Sequence, residues 1–406
     1  MKNCTLISPC PISGTDEGFV YFNLDNFPLV NNLHGNREDS LNCDRYPLRV
    51  IYWKDSTLSS LSHAVDGELL FSNYLFKSEV NVPYISHCRK MYHHINSLVE
   101  FEDGDFIVDI GGNDGTLLAA FKDESSVELE FLNIDPSKNL APLAEAKGIP
   151  TLVKFFSEDV KVDRSPKVIV STNVFQHLKD TNSFVRGVRN MLSDEGFWVL
   201  EFPYWIHDLE TMQFDQIYHE HMYYYTVASL KMMMEKHGMK IVDAEMQKIH
   251  GGSMRLVMVK DSFDYPVSDS VYEFLEKEQH FDEEYYKNWG ETVKAHLDKC
   301  LKIIRDLKNS GKSIAGFGAA AKGCIFLNAL GLTDKEIDYI IDDTDIKQGK
   351  YIPGTGIQVV SREILKENHP DYILILAHNF ADHIINSMPE YEGVFIVCLP
   401  ELSFFI

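Results

Sequence analysis

What most constrains this chain is a short apolar run that ends in glycines and turns at once into a helix. Phe106-Ile107-Val108-Asp109-Ile110 leads into Gly111-Gly112-Asn113-Asp114-Gly115, and Thr116-Leu117-Leu118 opens a helical segment. An apolar run of this length closed by glycine reads as a strand buried on both faces. The design recurs at 129–134, 167–170 and 196–201, with helical segments at 137–147 and 181–192. Such alternation implies a parallel sheet covered on both faces. A second series starts at Lys312-Ser313-Ile314-Ala315-Gly316-Phe317-Gly318. It continues through 337–341, a turn at Pro353-Gly354-Thr355-Gly356, and strands at 372–376 and 394–398. The expected fold class is α/β, with two doubly wound, Rossmann-like sheets.

At 406 residues the chain exceeds what one hydrophobic core supports. The pattern divides it into a small amino-terminal domain at 1–95, a first strand–helix domain at 96–270, a helical linker at 271–311 and a second domain at 312–406. Residues 1–95 read as irregular apart from a strand at 48–53 and a helix at 85–99. The net charge of −23, with no long basic run, excludes a general nucleic-acid or anionic-membrane surface. No segment reaches the roughly 18 uncharged apolar residues of a membrane helix. The amino terminus carries no export signal, so the expected location is the cytoplasm. Seven cysteines lie at irregular spacing, and the only near pair, Cys4 and Cys10, is not a CxxC knuckle. Reduced thiols are expected, and a zinc site is not.

The glycine loop points to a nucleotide-bearing cofactor. Glycine permits close approach of backbone to ligand and angles closed to other residues. Asp109 ends its strand, and Asp135 ends the next, where a carboxylate can hold two ribose hydroxyls. That spacing suits either NAD or S-adenosylmethionine. A dinucleotide loop leaves bare backbone for a pyrophosphate. Here Asn113 and Asp114 stand in the loop, and a carboxylate there suits a sulfonium and an ammonium better. After the fourth strand, Ser171-Thr172-Asn173-Val174-Phe175-Gln176-His177 falls at the carboxyl end of the sheet, where open sheets bind ligands. Asn173 and His177 are therefore site candidates, with helix capping and surface polarity as the alternatives.

The densest chemistry lies in Phe214-Asp215-Gln216-Ile217-Tyr218-His219-Glu220-His221-Met222-Tyr223-Tyr224-Tyr225. It offers a base, an orienting group and hydrogen-bond donors within a few residues, and histidine titrates near neutrality. His-Glu-His also invites a metal, although no third ligand is evident. Ile249-His250-Gly251-Gly252-Ser253-Met254-Arg255 either lines the same cleft or forms a hairpin turn.

Taken together, these segments resemble the S-adenosylmethionine-dependent C-methyltransferases of nucleotide-linked branched deoxysugars. The resemblance runs over most of the length through FSNYLF, DIGGNDGTLL, NIDPSKN, STNVFQH, EFPYW, FDQIYHEHMYYY, HGGSMR, GFGAAAKG and IDDTDIKQGKYIPGT. The combination of YHEH, HGGS and a late GxGAxAKG is specific. It implies a class I methyltransferase domain, a small amino-terminal zinc domain and a Rossmann-like carboxyl-terminal domain, with a nucleotide-diphosphate sugar bound between domains. By this resemblance His221 is the general base, assisted by Tyr218 and Glu220. Asp109, Gly111, Gly112, Asn113, Gly115 and Asp135 bind S-adenosylmethionine. Tyr74, Asn173, His177, His250, Gly316, Gly318 and Lys322 face the substrate. The implied reaction removes a proton beside a ketone, at C3' of a 4-keto-deoxysugar, and methylates that carbon.

Two departures stand out. The family's zinc domain has two CxxC-type pairs, whereas here Cys4 and Cys10 are loosely spaced and Tyr52-Trp53-Lys54-Asp55-Ser56 replaces the second pair. Packing, not metal, is expected to hold this domain. Phe76 also replaces a usual tyrosine, while Tyr74 is kept. The competing readings are an oxygen or nitrogen methyltransferase, an NAD-dependent oxidoreductase or epimerase built on the late glycine motif, and a binding protein without catalysis.

Overall fold

The computed structural model describes residues 3–71 and 82–406. Its central layer is a seven-stranded sheet in the order Met239–Gln247, Ser253–Lys260, Phe197–Pro203, Val168–Thr172, Phe106–Ile110, Glu130–Ile134, Thr151–Leu152. Neighbouring strands are parallel except around Ser253–Lys260, which runs against both of its neighbours. Val168–Thr172 is buried at every residue, as a strand covered on both faces must be. The helices Val82–Val99 and Thr116–Glu124 cover one face through Met91, Ile95, Leu117 and Phe121.

A second, six-stranded sheet runs Val359–Val360, Ile340–Ile341, Ile314–Phe317, Tyr372–Ile375, Val394–Val397, Ser403–Phe405. Only its last strand is antiparallel. Two helices, Asp269–Glu278 and Glu283–Asn309, join the sheets. The first ends in a buried acid: Glu278 accepts the Val227 and Ala228 N–H groups, both at 2.7 Å. It thereby caps the helix Val227–Lys236 from outside, where a carboxylate favours the helix dipole.

The irregular texture expected for residues 1–95 is corrected by the structure. Gly18–Pro28, Arg45–Trp53 and Leu58–Leu61 form an antiparallel sheet whose fourth strand is Tyr223–Tyr224, borrowed from the central region. Register shifts at Val20/Phe22 and Asn23/Asn26 break the two-residue alternation that would mark the first strand. In the same region Cys10 Sγ lies 3.2 Å from Ser56 Oγ, and Thr15 donates to Asp55 at 2.8 Å. Hydroxyl and carboxylate bonds thus join the two turns. Aromatic rings then tie the regions together: Phe22 meets Phe214 and Trp289, Trp205 meets Trp289, and Phe214 meets Phe326. Among the described residues, no helix is long and apolar enough to cross a membrane.

Candidate active site

The glycine turn after Phe106–Ile110 is wound by left-handed residues, with φ of +77° at Gly111, +54° at Asn113 and +73° at Gly115. Asp135 braces it, accepting the Asn113 N–H at 3.0 Å and the Ser137 N–H at 2.8 Å. Asp109 behaves differently. It is 1% exposed, and neither carboxyl oxygen accepts a hydrogen bond from the described residues; Asn133 Oδ1 is in the same state. A Cβ added at Gly112 would fall 2.5 Å from both Asp109 Oδ2 and Asn133 Oδ1. Glycine is required there for space, and buried acceptors flank it without a donor. Burial, with a further push from Asp135, raises the Asp109 carboxyl to about 8. Such a set fits a ligand that brings N–H donors and positive charge.

The turn also corrects one expectation. Asp114 does not face a ligand: it accepts the Thr116 hydroxyl at 2.7 Å and lies 3.5 Å from the Lys147 ammonium. Its charge is met by Lys147, from the end of the helix Ala141–Ala146, so the preference for a cationic ligand rests on Asp109.

Beyond the sheet's carboxyl edge, the YHEH residues diverge. His221 Nδ1 lies 3.0 Å from the Gln216 carbonyl oxygen, which can only accept, so Nδ1 carries the proton. Its Nε2 lone pair therefore receives the Tyr218 hydroxyl at 2.7 Å. Burial pushes the imidazole well below its usual range, and the neighbouring His177 and Lys322 push the same way. His177 donates to the Glu220 carbonyl at 2.6 Å, with its ring 5.0 Å from that of His221. Glu220 turns elsewhere, accepting the Asn31 amide at 2.7 Å, and burial raises it to about 7. His219 points to the Tyr46 carbonyl at 3.3 Å, where burial lowers it to about 4. Among the described residues, no three metal-ligating side chains converge.

The carboxyl-terminal sheet reaches the same region. Lys322 donates to Gln213 Oε1 at 3.0 Å, and His378 pairs with the buried Asp215 at 2.9 Å. Gly316 is the last residue but one of the strand Ile314–Phe317, and Gly318 turns the chain at φ +100°. Asn173 sits left-handed at φ +55° just past Val168–Thr172. The HGG segment is the turn between antiparallel strands, with His250 in the short 3-10 helix Ile249–Gly251. The His250 side chain and the whole of Tyr74 lie outside the described residues. Asn31, Gln213 and His378 went unread in the sequence, because nothing local links them to their partners far away in the chain.

A sheet of this order, with a ligand cradle at the first glycine turn, defines the class I S-adenosylmethionine-dependent methyltransferase fold. A family model described as a methyltransferase domain matches residues 84–244, and one described as the C-methyltransferase C-terminal domain matches 248–400. C-methyltransferase NovU of Streptomyces niveus is 30% identical over 406 residues, covering 97% of this chain and 96% of its own. The chain belongs to the C-methyltransferase family and is a S-adenosylmethionine-dependent enzyme of that kind. Among solved structures it is similar to a S-adenosylmethionine-dependent methyltransferase from Clostridium acetobutylicum ATCC 824, at 10% identity and TM-score 0.35, over 43% of this chain and 91% of that one. It is similar also to magnesium protoporphyrin IX methyltransferase from Synechocystis PCC 6803, at 12% identity and TM-score 0.35, over 44% of this chain and 84% of that one.

Proposed function

We propose that this enzyme methylates C3', the carbon beside the ketone, of a nucleotide-linked 4-keto-deoxysugar through an enolate. The observation that carries the reading is the state of His221, a buried imidazole whose tautomer is set by the Gln216 carbonyl. Burial keeps it unprotonated at neutral pH, as a group that must accept a proton from carbon has to be. When bound, S-adenosylmethionine supplies an electrophilic methyl group on a sulfonium. Asp109 and Asn133 face its charged amino end, Asp135 its ribose hydroxyls, and Gly111, Gly112, Asn113 and Gly115 let the backbone pass close by.

In this reading His221 receives the proton. The Tyr218 hydroxyl, which donates its one proton to Nε2 in the resting site, turns that proton to the developing enolate oxygen as substrate enters, and Nε2 is thereby freed to take the proton from carbon. Glu220 holds a ring substituent, while Asn173 and His177 line the pocket; Tyr74 and His250 are assigned to the substrate by the family resemblance alone. Lys322, Gly316 and Gly318 take the diphosphate, since Lys322 has two further N–H donors beyond its bond to Gln213. Residues 96–270 then carry the methyl donor, residues 312–406 the nucleotide, and residues 1–95 close the site across the 271–311 linker. A cytoplasmic setting belongs to the same reading and agrees with seven free thiols.

Incubation with S-adenosylmethionine and a panel of nucleotide-linked 4-keto-6-deoxysugars in deuterated water, read by mass spectrometry, tests it. Deuterium entry beside the ketone together with a gained methyl group is expected, and both should vanish in His221→Ala. A protein that binds the methyl donor but neither exchanges nor methylates any keto sugar would turn the reading to hydroxyl or nitrogen acceptors. The oxidoreductase reading finds little support, because both family models and the full-length relative are methyltransferases.

A further inference from the structure

Asn31 lies some 190 positions before the YHEH cluster, on a turn that directly follows the strand Gly18–Pro28. The turn closes with the Asn32 N–H on the Leu29 carbonyl at 3.2 Å. It is held from beyond as well, since His34 and Tyr351 exchange backbone bonds of 3.0 and 2.8 Å. The catalytic segment is gripped by the same amino-terminal sheet. Leu61 N–H donates to the Met222 carbonyl at 2.8 Å, His219 reaches the Tyr46 carbonyl, and Tyr223–Tyr224 pairs with Ser59 and Ser60. Two rigid attachments therefore meet at one contact, the 2.7 Å bond from Asn31 Nδ2 to Glu220 Oε1.

That contact is unusual in its chemistry. Glu220 is 6% exposed, yet among the described residues its carboxyl receives one hydrogen bond, from a neutral amide, and has no cationic partner. Buried carboxylates are ordinarily met by several donors or a paired cation. Only Oε1 is occupied, so Oε2 retains its full accepting capacity.

We propose that Asn31 is a positioning residue of the active site: it anchors Glu220 Oε1, so that Oε2 is presented to a hydroxyl or amino donor on the sugar ring. The proposal rests on the acceptor reading above and adds a part for the amino-terminal sheet. That sheet, joined at its turns by Cys10, Ser56, Thr15 and Asp55, is the frame that holds a substrate-facing carboxyl in register. Beside Glu220, His177 donates to its backbone carbonyl, His219 reaches the Tyr46 carbonyl and Tyr218 meets His221. Of its environment, burial raises its proton affinity and the Asn31 amide lowers it.

The test compares Asn31→Ala with Asn31→Asp in the full chain. Aspartate has the shape of asparagine but sets an acceptor and a charge against Glu220. The expected order of kcat is Asn above Ala above Asp, with about tenfold lost at each step, while S-adenosylhomocysteine affinity stays within about twofold. In a Glu220→Gln background, Asn31→Ala should cost no further activity, because the coupling has been removed. A second readout needs no turnover: carbon-13 carboxyl resonances, with Glu220 assigned through Glu220→Gln. Loss of the amide donor should move the Glu220 titration upward in Asn31→Ala. Equal activity of Asn31→Asp and the parent, or an unmoved Glu220 titration, overturns the proposal. If no keto sugar reacts with the parent enzyme, the acceptor reading falls, and the titration alone decides the role of Asn31.

Discussion

Two strand–turn–helix units in this chain share a backbone plan and differ in what their carboxylates do. In the first, the Gly111 N–H reaches the Ile134 carbonyl at 2.8 Å; in the second, the Gly318 N–H reaches the Ile341 carbonyl at the same distance. Each following strand ends in an acid that accepts one N–H from the turn and one from two residues on. For Asp135 these come from Asn113 and Ser137, for Asp342 from Ala319 and Thr344. The aligned positions before the turn are Asp109 and Gly316. Asp109 is a buried carboxyl without a donor, whereas Gly316 offers no side chain, and Lys347 adds an ammonium to Asp342 at 3.3 Å. One backbone device thus flanks a donorless carboxyl in the first sheet and becomes a self-balanced turn in the second. The backbone of the turn is the same in both; the carboxyl beside it is what differs.

Substitutions can break this comparison, beginning with the largest effect. Asp109→Asn should weaken S-adenosylmethionine binding by about 10- to 100-fold, the worth of hydrogen bonds to a charged group, as titration calorimetry will show. An unchanged affinity would mean that the donorless carboxyl plays no part in the cradle. Asp342→Asn should leave that affinity within about twofold. It should instead destabilise the fold by about 1–3 kcal/mol, measured by thermal or denaturant unfolding, because a mostly internal bonding role is lost.

The smallest effect sharpens the contrast through pH. Asp109 titrates at about 8 when folded and near the ordinary carboxylate range of about 4 when unfolded. Between those values the native state binds more protons, so this group's contribution to stability declines as pH rises from about 4 to 8. Ligand-free protein should therefore lose more melting temperature between pH 6 and 9 than Asp109→Asn does. For the same reason, binding of the cationic methyl donor should strengthen up to about pH 8 and then level off.

Much of the cradle was legible in the sequence, and the reasons are local. Apolar runs closed by glycine mark buried strands, and acids at two successive strand ends mark a ribose-bearing ligand. Asp114 shows where local reasoning stopped. Its residue type suggested a ligand contact, but the left-handed residues at 111, 113 and 115 turn it inward to Thr116 and Lys147. The amino-terminal sheet was illegible for two reasons: bulges blur the alternation of its longest strand, and its last strand comes from residues 223–224.

In the YHEH cluster the residue types announced acid–base chemistry, but their separate tasks did not follow from spacing. His219 goes to Tyr46, Glu220 to Asn31, and His221 to Gln216 and Tyr218. By itself the sequence determined the α/β class, the order of the two strand–helix series and the position of the first glycine turn. These depend on periodicity and on glycine, whose effects act within a few residues. Only the tertiary structure decided which carboxyl stays uncompensated, which imidazole nitrogen is the acceptor and which distant amide anchors Glu220. Those outcomes are set by burial and by hydrogen-bond partners brought together from opposite ends of the chain.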